Sequence, residues 1–127
     1  MTDIRVPGLH HPITIEPTAG QVTVRLGGRV VADTSRALTL SEASYRPVQY
    51  VPLSDIDPAV LEPSSRTTWC PYKGTAAYYD LRVGDRVVRD ALWAYPSPHR
   101  AVAAIKDHAA FYADRVDVIE KSYGVTS

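Results

Sequence analysis

The chain has 127 residues, 45% hydrophobic and 22% charged, the size and balance of one soluble globular domain. Fourteen Lys and Arg cancel fourteen Asp and Glu, so the net charge gives no push toward nucleic acid or an anionic membrane, and neither is expected as a partner. No apolar run approaches the roughly 20 residues of a membrane span; the opening MTDIRVPGLHHP has no secretory h-region; and a single cysteine excludes an internal disulfide or a Cys-rich zinc site, which favours a reducing cytoplasm.

Along the chain the pattern is mostly strand. His10 and His11 come first, in HHP (10–12). Adjacent residues on a strand face opposite ways, so this pair is a poor chelate and reads as a loop without chemistry. QVTVRL (21–26) alternates apolar Val22, Val24 and Leu26 with polar neighbours, the period of a half-buried strand. Gly27-Gly28 joins it to RVVADT (29–34) as a tight hairpin. ALTL (37–40) and PVQYVP (47–52) are further strands. In SDIDPAVLEPS (54–64) a short helix is expected, capped by Asp57, begun by Pro58 and stopped by Pro63. TAAYYDLRV (75–83), Gly84-Asp85 and RVVRDALWAY (86–95) make a second, longer hairpin. Beyond residue 99 the period is ambiguous. Ile105, Ala109, Tyr112, Val116 and Ile119 fit one long helix, while RVDVIE (115–120) also alternates as a strand. No internal repeat or linker divides the chain, so residues 1–127 are expected to form a single domain.

The chemistry-bearing stretch is TTWCPYKGTAAYYD (67–80). Cys70 would need a cation, a His or a helix N-terminus to act as a thiolate. Lys73 is three residues away across a proline turn, but CxxK is no specific motif, and a small buried hydrophobe is the commoner fate of a free Cys. Lys73 itself is more telling. Pro71, Tyr72 and Gly74 shape a turn around it, and Tyr72, Tyr78 and Tyr79 offer hydroxyls and ring faces. A cation in a tyrosine-lined recess suits a phosphate or carboxylate. Arg36 and Glu42, if they share that recess, complete a cation–carboxylate–cation cluster able to bind a polar ligand or move protons. Asp55 and Asp57 form an Asp-x-Asp, but Pro58 follows at once, so capping accounts for Asp57 better than a metal does. No Gly-rich phosphate loop is present. Trp93 and Tyr95, two apart on a strand, share a face and either pack in the core or wall a recess.

In order, HP (11–12), VVADTSRALTLSE (30–42), YxPVxYxP (45–52), TxCPYKGxAxY (68–78), WAYP (93–96) and FYxDRV (111–116) resemble the domain-of-unknown-function family four-two-seven over nearly the whole chain. CPYKG is the most specific block. Domain catalogues also label the family nucleotidyltransferase-like, and the residues above do not support that label. The resemblance implies a mainly β fold: two packed antiparallel sheets, tent-like or an open barrel, with one or two short helices. It also implies a helix over about 98–106, followed by strands in AAFY and RVDVI. Tent-like relatives often hold zinc on paired CxxC knuckles; with one Cys, no metal and no cofactor is expected here. Carried over residue by residue, the pattern falls on Arg36, Glu42, Tyr45, Tyr50, Cys70, Lys73, Tyr78, Trp93 and Tyr95, as the wall of one pocket.

The expected function is therefore binding of a small anionic or polar ligand in an aromatic-lined pocket around the CPYKG turn. Lys73 and Arg36 would recognise an anionic group. If there is catalysis, Glu42 is the general base and Lys73 the electrophile. Six of the eight tyrosines fall between residues 45 and 95, which motivates this expectation. The alternatives are a protein-interaction or homodimerisation module with a flat apolar patch, and a thiol enzyme with a fast-alkylating Cys70.

Overall fold

A computed structural model describes residues 4–123. Ten strands form two antiparallel sheets that do not close into a barrel. The chain runs β1 (Ile13–Pro17), β2 (Gln21–Leu26), β3 (Arg29–Thr34), β4 (Leu38–Glu42), β5 (Val48–Pro52), β6 (Leu61–Cys70), β7 (Gly74–Val83), β8 (Arg86–Ala94), β9 (His108–Phe111) and β10 (Val118–Ser122). The large sheet has the order β1-β4-β5-β9-β8-β7-β6, and the small one β10-β2-β3. No helix among the described residues is long and apolar enough to cross a membrane.

The expected hairpins form. Gly27 and Gly28 both adopt left-handed φ, 60° and 77°, which a two-residue turn demands. On β2 the alternation becomes burial: Val22, Val24 and Leu26 are fully buried. On β3 the register slips opposite Val24/Arg25, so Val31 and Ala32 are both buried, as a β-bulge allows.

Adjacent residues of β5 and β9 enter different cores. Val51, Ala109 and Phe111 pack with Val22, Val24 and Leu26 between the two sheets. Tyr50 and Ala110 pack with Leu40, Tyr78 and Tyr95 on the other face of the large sheet. Successive side chains of a strand point to opposite faces, so the large sheet is covered on both sides. The second core is closed by Val102 and Ile105 from a 3-10 helix over Arg100–Ile105.

Three local expectations change. The helix in 54–64 shrinks to one 3-10 turn, Pro58–Val60. Asp57 caps it, accepting from the Ala59 amide at 2.9 Å, and Pro58 begins it. Pro63 stops nothing, because the chain is already extended at Leu61. It sits in β6, the sheet's edge strand, beside a break in register where a missing donor costs little. Strands β1 and β6 arise where no strand is expected from the sequence. At the C-terminus the 3-10 helix and β9 fall where the resemblance places them. The last strand starts late, at Val118, because Ala113–Arg115 forms a 3-10 turn.

Candidate functional site

Three segments distant in sequence meet at one end of the large sheet. The first is the end of β4. Ile13 pairs with Glu42, and the Ala43 amide donates to the Pro12 carbonyl at 2.8 Å, so the residues before β1 are laid beside Glu42. Ala43 holds a left-handed φ of 47°, a strained state for a residue with a Cβ, directly after that carboxylate. The second segment is the β6–β7 turn, CPYKG. Gly74 has φ +116°, and a Cβ there would lie 3.3 Å from the Ser97 carbonyl oxygen and 3.4 Å from the His99 ring. The turn is fixed further by the His99 amide, which donates to the Lys73 carbonyl at 3.0 Å. The third segment is the N-terminal strap, whose Arg5 amide donates to the Pro71 carbonyl at 2.9 Å.

At the junction, the Lys73 ammonium donates to Glu42 Oε1 at 2.5 Å. His11 Nε2 lies 2.7 Å from Glu42 Oε2. An ionised carboxylate only accepts, so this nitrogen carries the proton. The His11 ring is sandwiched against Tyr72, centroids 3.9 Å apart and planes within 8°. Lys73 is only 7% exposed, so this ion pair is withdrawn from bulk water. Burial would raise the Glu42 carboxyl, but hydrogen bonds from Lys73 and then His11 outweigh it and hold the group below its ordinary value of 4.5.

Above this pair lies a recess of about 220 Å³, walled by Tyr50, Tyr78, Trp93, Tyr95 and Tyr112, with Leu40 and Val48 as its apolar part. The Trp93 indole donates to the Tyr50 hydroxyl at 3.1 Å. The Lys73 ammonium stands 5.9 Å from the centre of the Tyr95 ring. Burial pushes the Tyr50 and Tyr95 phenols well above their ordinary range. Burial, and then the neighbouring Tyr78 hydroxyl, push Tyr112 up to about 12. All three phenols therefore stay protonated near neutrality and are donors as well as acceptors.

Of the residues expected in one pocket, the structure brings together Glu42, Lys73, Tyr50, Tyr78, Trp93 and Tyr95. Three do not join them. Arg36 is exposed and donates to Ser54 and Asp55, both at 3.2 Å, so its charge is spent on the loop after β5. Tyr45 is 67% exposed, in the turn beyond β4. Cys70 is a half-buried free thiol packed against the core behind the recess. Tyr112 is an addition, and His11, expected to lie in a loop without chemistry, instead contacts Glu42 because the pairing of β1 with β4 lays it there. The HP and FY pairs of the family pattern were their only trace in the sequence. Among the described residues, no three His, Cys, Asp or Glu side chains gather as metal ligands.

A family model described as "Domain of unknown function (DUF427)" matches residues 14–122. The chain belongs to the DUF427 family. Within this DUF427 domain, the matched span contains Glu42, Lys73 and the whole aromatic wall, while His11 lies just ahead of it. No curated protein matches the chain.

Proposed function

We propose that this domain binds a small molecule through a neutral hydrogen-bonding head seated over the Lys73–Glu42 pair. The observation that carries this is the buried, hydrogen-bonded ion pair at the floor of a tyrosine-walled recess. Among the described residues Lys73 donates one side-chain hydrogen bond, to Glu42, and an ammonium has three N–H groups. Its remaining N–H groups, with the Tyr50 and Tyr95 hydroxyls, suit a carbonyl oxygen; the lone pairs left on Glu42 suit an N–H or O–H. A carboxamide presents both.

An anionic head is disfavoured by simple electrostatics. At about 4 Å from each partner and an effective dielectric near 20, attraction to Lys73 and repulsion by Glu42 are each about 4 kcal/mol and cancel. Arg36, which would tip the balance, is engaged elsewhere. Proton abstraction by Glu42 is likewise disfavoured, because a general base works best with a pKa near the working pH, and this one is held low. Binding is thus favoured over catalysis. A reducing cytoplasm is the proposed setting, in keeping with a free Cys70.

A thermal-shift screen tests this. Small carboxamides, carboxylates and sugar phosphates, and amines are compared on the wild type and on the Lys73→Met/Glu42→Gln double variant, which removes both charges together. Carboxamides at ten times their Kd should add about 1.4 kcal/mol of stability, roughly 4 °C, to the wild type only. Stabilisation by anions alone overturns the neutral-head assignment. No response from any class shifts the weight to an interaction module, and sedimentation of the purified chain then decides whether it dimerises.

A further inference from the structure

The large sheet is split where the recess lies. Strand β5 pairs with β9 at Val51↔Ala109 and Pro52↔His108 and no further. Yet β5 continues to pair with β4 through Tyr50, Gln49 and Val48, and β9 with β8 through Phe111. From Tyr50 to Val48, therefore, β5 runs without a β9 neighbour, and a slot opens in the sheet. The Trp93–Tyr50 hydrogen bond spans it. On one side of the slot is the polar recess. On the other, between the two sheets, is a cavity of about 340 Å³ walled by Val22, Val24, Val51, Phe111 and Ile119, with Gln49 and the exposed Arg46 also on its lining. The two cavities share Val48, Trp93 and Tyr112, the residues of the slot itself.

The two sides differ in chemistry as the two ends of an amphipathic molecule do. The recess alone, at about 220 Å³, falls below the roughly 300–1,000 Å³ typical of sites for drug-sized ligands. Taken together with the neighbouring inter-sheet cavity, with which it shares three lining residues, it falls within that range. The inner part of that cavity, lined by the buried Val22, Val24, Val51 and Phe111, is a poor site for water and a good one for a hydrocarbon group. On its β8 and β9 side the slot is edged by Trp93 and Tyr112, packed in contact at 4.5 Å between centroids, and a thin chain would pass between this aromatic edge and Val48 of β5.

We propose that the ligand is an N-alkyl carboxamide, its alkyl chain between the sheets and its amide over Lys73 and Glu42. This rests on the neutral-head binding proposed above and adds the second half of the ligand. A homologous series of N-alkyl carboxamides, titrated by calorimetry, tests it. Each added methylene should tighten binding about fourfold until the cavity is filled, since burying one contributes about 0.8 kcal/mol. Ile119→Trp, which fills the inter-sheet cavity without touching the recess, should remove the dependence on chain length and leave the shortest amides binding as before. Phe111→Leu, which enlarges the cavity, should move the optimum to longer chains and guards against Ile119→Trp failing to fold. Short amides that bind the wild type with no gain along the series would overturn the amphipathic ligand and leave the amide head standing. Alkyl compounds that bind equally well without an amide, and equally well to Lys73→Met/Glu42→Gln, would overturn both.

Discussion

Glu42 is the residue on which the site's electrostatics turn. It receives Lys73 on one oxygen and His11 on the other, and both contacts span 31 residues of sequence. Because its folded carboxyl lies below 4.5, the unfolded chain takes up this proton first as pH falls. The pair's contribution to stability is therefore whole above the unfolded value and is lost as pH drops through the folded one. Urea unfolding followed from pH 7 to pH 3 should show the wild type losing more stability below about pH 5 than Glu42→Gln, which has no such proton to bind. Parallel curves for the two proteins would mean that the ion pair does not hold Glu42 ionised. Cys70, by contrast, is silent in this arrangement: it packs behind the recess while its neighbour Lys73, three residues on, provides the charge.

Among elements, the β7–β8 hairpin carries the least expected feature. Its register breaks between Tyr79 and Leu81, and Asp90 in the bulged partner takes a left-handed φ of 50°. Asp80 makes this tolerable. It is 4% exposed, accepts from the Asp90 amide at 2.7 Å, and accepts from Arg89 at 3.0 Å. Asp80→Ala leaves a bulge amide without its acceptor and should cost about 2–4 kcal/mol, while Asp80→Asn, which keeps one acceptor oxygen, should cost less. Guanidinium melts with an unchanged m-value measure this directly; equal losses in the two variants would mean that the side chain's shape, rather than its acceptor, supports the bulge. The hairpins were legible in the sequence because Gly27-Gly28 and Gly84-Asp85 punctuate clean alternation. The bulge was not, since Asp90 looks like any surface acid until its pairing is known. Of the site, the tyrosine cluster and Lys73 were legible as composition around a shaped turn. Arg36 misled because a loop charge carries no periodicity, and its partner Asp55 is set by tertiary placement. His11 was hidden because only the β1–β4 pairing brings it to Glu42.

At the scale of the whole molecule, the small sheet is what makes the inter-sheet cavity a cavity. Its strand β2 presents Val22, Val24 and Leu26 to the large sheet, and β10 closes it from the far end of the chain by pairing Val118 with Arg25. The two sheets share the core between them, so neither buries that apolar face alone, and they should unfold together in one step. Val24→Ala tests this, because Val24 is fully buried on the small sheet while Trp69 and Trp93 both report from the large one. Deleting its methyl groups should cost about 2–3 kcal/mol in transfer and cavity terms. If the sheets are one cooperative unit, the midpoints by far-ultraviolet circular dichroism and by tryptophan fluorescence shift together and by the same amount. A fluorescence midpoint that stays put while the dichroism midpoint falls would mean that the small sheet melts separately. The inter-sheet cavity would then open before the recess does.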